Sequence, residues 1–195
     1  SFRPEVSVIL NISPDHLDRY PDYEAYVQSK LRIFRKQEPG RTVVLNDDDE
    51  RLQHVNPPND LRVLRYGMQK AVGRGAWIEM DDMVTLFPQK AAHRFSLKRF
   101  PLPGRHNREN LMAASLAAMV MGAKPEAVQR VIDGFQGLPH RMAWVESVRG
   151  VDVYDDSKAT NVDAAVRALE SFDRPVVLIA GGRHKGADYG PLVKA

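Results

Sequence analysis

Short apolar runs, each followed by polar residues, dominate the first 50 positions of the chain. Residues 6–12 are almost continuously apolar and rich in β-branched side chains, which predicts a strand buried on both faces of a parallel sheet. A helix is predicted at 23–34 and a second strand at 42–46. This order indicates a βαβ unit, whose two strands end side by side.

Residues 61–102 show a different pattern, in which short alternating segments are separated by turn residues. These segments are found at 61–67, 76–87 and 95–100. Alternation with frequent turns predicts a small antiparallel meander attached to the parallel sheet. Two helices follow in the pattern, at about 107–121 and 125–135.

Gly137, Leu138 and Pro139 end the second of these helices, and they mark the predicted domain boundary. We therefore expect one domain at 1–137 and another at 138–195. In the second domain, strands are predicted at 142–148, 151–154 and 175–180, and helices at 163–172 and 189–194. A doubly wound domain normally has more strands, so this domain is expected to be incomplete.

The segment 154–161 concentrates carboxylates, hydroxyls, an amide and a lysine between a predicted strand and a predicted helix. Ligands bind at such strand ends in open α/β sheets. Thr160 or Asn161 is equally explained as a plain helix cap. Lys158 is not, because a lysine in the first turn of a helix opposes the helix dipole unless an anionic ligand is bound there.

A second polar cluster follows the first predicted strand and contains Asp15, His16 and Asp18. One imidazole and two carboxylates so close together suit a hard cation, and a turn leading to a capped helix explains them as well. Lys30 lies on the neighbouring predicted helix. A lysine there is most often a solvated surface residue.

Three further features of the sequence suit ligand binding. Asn107 and Asn110 share a helix face near its start, and their amides suit the edge of a nucleobase, although Asn107 also suits a cap. Arg141 lies at the predicted boundary, where a guanidinium can reach a phosphate between two domains. The glycine-rich loop at 181–186 can cradle an anion, with Lys185 supplying positive charge.

Composition narrows the class of protein. The 195 residues are 43% hydrophobic and 27% charged, which is typical of a soluble globular protein. The net charge of +3 arises from 28 basic and 25 acidic residues spread along the chain, so nucleic-acid binding is not expected. Absence of cysteine excludes disulfides and fits a cytoplasmic protein. The longest apolar stretch, 111–123, is too short to span a bilayer, so no membrane partner is expected.

Taken together, the polar motifs resemble those of the Mur ligases, the ATP-dependent amide-forming enzymes of peptidoglycan precursor synthesis. The motifs that carry the resemblance are at 11–20, 104–110, 138–141 and 156–161. They look most like those of the D-glutamate-adding members. The resemblance implies an α/β fold: part of a P-loop-type central ATPase domain, with a parallel sheet and a small meander, followed by the first half of a Rossmann-like C-terminal domain.

The implied reaction begins with phosphorylation, by ATP, of the carboxylate of UDP-N-acetylmuramoyl-L-alanine. The amine of D-glutamate then attacks the acyl phosphate. By resemblance, His16 is a Mg²⁺ ligand, and Lys30 is carbamylated so that its carbamate oxygen binds a second Mg²⁺. Both residues would be catalytic, as would Lys158.

The resemblance also assigns binding roles. Asn107 and Asn110 correspond to positions near the adenine, and Arg141 and Asp156 to positions that contact ATP phosphate and ribose. The acceptor D-glutamate and the acyl phosphate would face three residues of the second domain. These are Lys158, Thr160 and Lys185.

Some parts of the family pattern are missing: the phosphate-binding G-K-T loop, a magnesium-ligating glutamate, the domain that binds the UDP group, and the end of the last domain. We therefore expect an internal fragment, inactive alone, of a cytoplasmic and monomeric enzyme. Two alternatives stay open. One is another Mur-type ligase, adding diaminopimelate or extending folate polyglutamate, and the other is a non-catalytic nucleotide-binding module.

Overall fold

The computed structural model describes residues 2–14, 19–69, 73–183 and 187–195. The strands are β1 (Val6–Ile9), β2 (Thr42–Asn46), β3 (Arg62–Gly67), β4 (Gly75–Glu79), β5 (Asp82–Leu86), β6 (His93–Ser96), β7 (Ala143–Val148) and β8 (Val151–Asp155). The helices are α1 (Tyr23–Leu31), α2 (Glu50–Gln53), α3 (Arg105–Val120), α4 (Pro125–Gly134), α5 (Val162–Leu169) and α6 (Gly190–Lys194). A 3₁₀ turn, Arg32–Phe34, extends α1.

Six strands form one sheet in the order β1-β2-β3-β4-β5-β6. The first four are parallel, and β4, β5 and β6 are antiparallel. The predicted pairing of the first two strands is confirmed, as is the α/β class. Two details of the predicted meander are wrong: residues 61–67 form the parallel strand β3, and residues 76–87 contain two strands, since a tight turn after Glu79 reverses the chain.

Helices cover both faces of the sheet, which is why β2 is buried at every position. On one face, Val44 of β2 belongs to a core with Met112 and Leu116 of α3 and Ile132 of α4. On the other face, alternate residues of β2 pack against α1 and the 3₁₀ turn. Alternation along one strand thus supplies two separate cores, in agreement with a strand in the middle of a parallel sheet.

Three consecutive aspartates follow β2, and each holds a different part of the fold. The Asp47 carboxylate accepts a hydrogen bond from Arg65 of β3 at 2.7 Å. Asp48 accepts from the backbone N–H of Met68 at 2.7 Å. Asp49 caps α2 and also accepts from the N–H of Ile12, at 3.0 Å, beyond the end of β1. The run therefore joins the carboxyl ends of three neighbouring strands.

Beyond residue 137, β7 and β8 form a two-stranded antiparallel hairpin, and α5 follows. The strand predicted at 175–180 is wrong, because this segment has no regular secondary structure. Its apolar side chains are exposed, Val177 at 91% and Ile179 at 95%. An apolar β-branched run becomes a strand only when a neighbouring strand pairs with its backbone, and none of the described strands does so. In the described ranges, no helix has the length and apolar character required to span a membrane.

Candidate functional site

A cavity of about 770 Å³ lies between the end of β1, the N-terminal half of α3, and α5 with the segments around residues 141 and 156. Asn107, Asn110, Arg141 and Asp156 all line it. The structure therefore brings together the four residues predicted to bind nucleotide, two from each side of residue 137. A further wall is apolar and consists of Phe100, Leu102, Leu111, Val131, Phe135 and Leu138. A cavity with one apolar wall and a few convergent polar groups is typical of a small-molecule site.

The N-terminus of α3 is organised by Gly104 and Asn107. Gly104 is the N-cap, with φ of 90° and ψ of 150°, so the alternative that Asn107 is the cap is wrong. Asn107 is 8% exposed, and its Nδ2 donates to the carbonyl oxygen of Pro103 at 2.6 Å. One amide hydrogen of Asn107 thus fixes the turn before the helix. Asn110 is exposed on the cavity wall, three residues further along α3.

His106 also lines the cavity, although sequence reasoning assigned it no role of its own. Burial lowers the pKa of this imidazole, and the positive charges of Arg167 and Arg141 lower the pKa further. A ring whose pKa lies below the usual value of about 6.5 is neutral at pH 7. His106 therefore offers one N–H donor and one acceptor nitrogen without adding charge to the site.

The turn between β8 and α5 places Asp156 on the cavity wall. Its Oδ1 accepts from the backbone N–H of Met142 at 3.1 Å. Asn161 is the helix cap, since its side chain accepts from the N–H of Ala164 at 2.8 Å. This outcome agrees with the capping alternative for Asn161.

Lys158 precedes α5 by four residues and is exposed, so the interpretation of Lys158 as a first-turn residue is wrong. Its backbone N–H donates to the carbonyl oxygen of His140 at 3.1 Å, which closes the turn onto the segment before β7. Thr160 is exposed on the same turn. Neither side chain lines the cavity.

His140 and Asp155 form a second contact across this turn. The Nδ1 of His140 lies 2.7 Å from Oδ2 of Asp155. The hydrogen bond from His140, together with bonds from Ser157, lowers the pKa of Asp155 to about 2. Asp155 is therefore a carboxylate across the physiological pH range, and it is hydrogen-bonded to the residue that precedes Arg141.

Five charged side chains link β2, α3 and α5, and we refer to them as the charged chain. They are, in order of contact, Asp48, Arg105, Glu109, Arg167 and Asp163. The successive nitrogen–oxygen distances are 2.9, 2.8, 3.3 and 3.0 Å. All five line a smaller polar cavity of about 330 Å³, and three of them also line the large one. The two pairs spaced at i and i+4 could be found from sequence.

Other predicted site residues lie away from the cavity or outside the described ranges. Lys30 is exposed, and its Nζ lies 5.1 Å from the centre of the Tyr26 ring, a cation–π contact. His16, with the surrounding cluster, and Lys185, in the glycine-rich loop, lie outside the described residues. Across the described ranges, no three His, Asp or Glu side chains group so as to hold a metal ion.

Comparison with known proteins identifies relatives along almost the whole chain. The UDP-N-acetylmuramoylalanine--D-glutamate ligase of Geotalea daltonii is 42% identical over 191 residues, which are 98% of this chain and 42% of the relative. The enzyme of the same name from Desulfosudis oleivorans is 44% identical over 192 residues, again 98% of this chain and 42% of the relative. The chain thus spans about 42% of the length of these curated relatives.

Solved structures agree in fold. MurF from Acinetobacter baumannii superposes with a TM-score of 0.69 at 19% identity, covering 88% of this chain and 38% of that one. A pseudomurein peptide ligase type C from Methanothermus fervidus superposes with a TM-score of 0.66 at 19% identity, covering 88% and 41%. The Mur ligase middle domain matches residues 1–118, which is more than half of the 195, and on this evidence the chain belongs to the Mur ligase family.

Proposed function

We propose that this chain is the part of an ATP-dependent ligase that holds ATP between two domains, and that the complete enzyme adds D-glutamate to UDP-N-acetylmuramoyl-L-alanine. One observation carries the proposal. Asn107 and Asn110 of α3 face one cavity together with Arg141 and Asp156, which follow residue 137. The names of the curated relatives support D-glutamate as the acceptor.

In the proposed complex, the adenine lies against the apolar wall of the cavity, and Asn110 reads its polar edge. Asn107 hydrogen-bonds the same edge. Only one amide hydrogen of Asn107 is used in the bond to Pro103, and the amide oxygen and the second hydrogen are left for the adenine. Arg141 binds a phosphate, for which a guanidinium is well suited. Asp156 accepts from ribose hydroxyls through the oxygen that Met142 does not use.

The chemistry of the ligation is proposed as transfer of the γ-phosphoryl group of ATP to the substrate carboxylate, which forms ADP and an acyl phosphate. The D-glutamate amine then attacks the acyl carbon, loses a proton, and expels inorganic phosphate as the amide forms. Lys158, Thr160 and Lys185 bind the anionic acceptor and stabilise the negative charge that develops. Lys158 and Thr160 are exposed on the turn beside the cavity, where a second substrate can approach the phosphate end of ATP.

For Mg²⁺, the described residues contain no group of three His, Asp or Glu side chains that could hold the ion. The proposal that His16 and carbamylated Lys30 ligate two Mg²⁺ ions rests on the family resemblance. Lys30 is exposed, so its amine is open to modification by CO₂. As an ammonium it contacts Tyr26, and carbamylation would replace this cation–π contact with oxygen ligands for a hard cation.

The remaining proposals concern organisation. We propose a P-loop-type central domain at 1–137 and the first half of a Rossmann-like domain at 138–195. The complete enzyme is proposed to be cytoplasmic and monomeric. The 195 residues alone are proposed to be inactive in ligation; amide formation by this purified chain would contradict that.

The test uses a complete protein that contains these 195 residues. ADP release should require both UDP-N-acetylmuramoyl-L-alanine and D-glutamate, and diaminopimelate should not replace D-glutamate. Asn110→Ala and Arg141→Ala should each raise KM for ATP by roughly tenfold, as expected for loss of one hydrogen-bonding or charged contact. Lys98→Ala, a change of an exposed residue that does not line the cavity, is the control. Release of ADP with another acceptor, or unchanged KM in both variants, would refute the proposal.

A further inference from the structure

Glu109 is a buried carboxylate with two arginine partners. It is 5% exposed, and its Oε1 accepts from Nε of Arg105 on the same helix. Its Oε2 accepts from Nη1 of Arg167 on α5, 58 positions later in the chain. A buried carboxylate is stable only when its charge is compensated and its oxygens are hydrogen-bonded. Glu109 therefore links α3 directly to α5 through Arg167.

The position of this contact relative to the cavity gives it a further consequence. Glu109 lies one residue before Asn110 on α3, and Arg167 lies on the helix that follows the Asp156 turn. Both Glu109 and Arg167 line the large cavity. The pair joins the two walls that carry the proposed nucleotide-binding side chains.

The outer members of the charged chain make this link stiff. Arg105 also binds Asp48 beyond β2, which anchors the start of α3 to the sheet. Arg167 also binds Asp163 one turn earlier, which fixes the arginine on α5. Close packing supports the same junction, because a Cβ atom at Gly104 would lie 2.4 Å from Oγ of Ser171. Neither helix can shift without disturbing these contacts.

We propose that Glu109 is a positioning residue, which through Arg167 holds α5 and the Asp156 turn at the separation from α3 that binding of ATP requires. The part of this proposal that concerns ATP rests on the proposed function. The part that concerns the separation of the helices does not. Glu109 itself need not touch the nucleotide.

The separation can be measured on the 195-residue chain, which has no cysteine and so accepts a pair of spin labels at chosen sites without background. Lys36→Cys and Glu146→Cys place labels at exposed positions on either side of residue 137. We expect Glu109→Gln and Arg167→Gln each to broaden the distance distribution, and the double variant to broaden it no further. Arg167→Lys, which keeps the charge, should restore part of the narrow distribution.

Glu24→Gln is the matched control. Glu24 pairs with Arg51 at 3.3 Å, the same distance as the pair between Glu109 and Arg167, but both residues precede residue 137. The distribution of label distances in Glu24→Gln should equal that of the unsubstituted chain. If Glu109→Gln does not fold, Arg167→Gln gives the answer, since Arg167 is only partly buried. Narrow, unshifted distributions of label distances in Glu109→Gln and Arg167→Gln would overturn the proposal.

A kinetic measurement on the complete protein separates positioning from a loss of folded enzyme. Positioning predicts that KM for ATP rises by roughly tenfold in either Gln variant, with a smaller change in kcat. A purely structural role predicts the opposite, because a smaller folded fraction lowers apparent kcat and leaves KM unchanged. The second pattern would overturn the proposal. If the unsubstituted protein did not use ATP, the proposed function would fail, and the label distances would still decide the role of Glu109.

Discussion

Replacing Gly104 by alanine should destabilise the protein by about 2–4 kcal/mol, as the sum of two effects at the start of α3. The φ of 90° and ψ of 150° at Gly104 belong to a region that almost only glycine adopts, and an alanine there costs about 1–3 kcal/mol. The added Cβ would also lie 2.4 Å from Oγ of Ser171. Ser171 can rotate away, but it then loses its hydrogen bond to the carbonyl oxygen of Arg167, worth about 1 kcal/mol.

Gly122→Ala separates these two effects. Gly122 has a similar φ of 97°, and beyond its two chain neighbours nothing lies within 4 Å of the position that an alanine Cβ would take there, so only backbone strain is expected. The free energy of unfolding, from urea titrations followed by circular dichroism, should fall more in Gly104→Ala than in Gly122→Ala. Adding Ser171→Ala to Gly104→Ala should recover part of the loss. Equal losses at the two glycines, with no recovery in the double variant, would refute this account of the junction.

Three further predictions concern buried or paired groups. Leu116→Ala should lower the free energy of unfolding by about 2–5 kcal/mol in urea titrations, because Leu116 is fully buried between α3 and the sheet; a loss below about 1 kcal/mol would contradict this packing. The pKa of His106 is lower in the folded protein than in the unfolded chain, so as the pH falls through about 6.5 the imidazole takes up a proton in the unfolded chain first. The free energy of unfolding should therefore drop between about pH 7.5 and 5.5. It should drop less in His106→Gln. His140→Ala should raise the pKa of Asp155 from about 2, as measured by carboxyl NMR titration, and an unchanged pKa would exclude His140 as the main cause of the lowered value. In the unsubstituted chain, the stability that the His140–Asp155 pair adds above pH 4 should be lost by about pH 2.

Local patterns were enough to predict most elements of the fold. Residues 6–12 and 42–46 are apolar without alternation, and this is the signature of strands covered on both faces, which the pairing of β1 with β2 confirms. The cavity was also foreseeable in part. Residue type and motif predict that Asn107, Asn110, Arg141 and Asp156 bind nucleotide, and the structure brings all four to one cavity.

Other features depend on partners that a local pattern does not reveal. Alternation at 61–67 predicts a strand but not the direction of its neighbours, and β3 proved parallel to both. The apolar run at 175–180 satisfies every local condition for a strand, but no described strand pairs with it. Glu109 and Arg167 are far apart in sequence, so their contact becomes visible only when α3 and α5 are placed together. The exposure of Lys158 before α5 likewise depended on Asn161 being the cap.

The aspartate run after β2 has a consequence for how this segment tolerates mutation. Asp47, Asp48 and Asp49 are identical in chemistry, yet one pairs with an arginine, one holds a backbone N–H and an arginine, and one caps a helix. A saturation mutagenesis screen should therefore give three different profiles at three adjacent codons. Asparagine should be accepted worst at Asp49, because one carboxylate oxygen caps α2 and the other accepts from the N–H of Ile12, and an amide would place an NH2 donor against one of these donors. Asparagine should be accepted better at Asp48, where one oxygen accepts from both Met68 and Arg105, and where Glu109 remains as an anionic partner of Arg105.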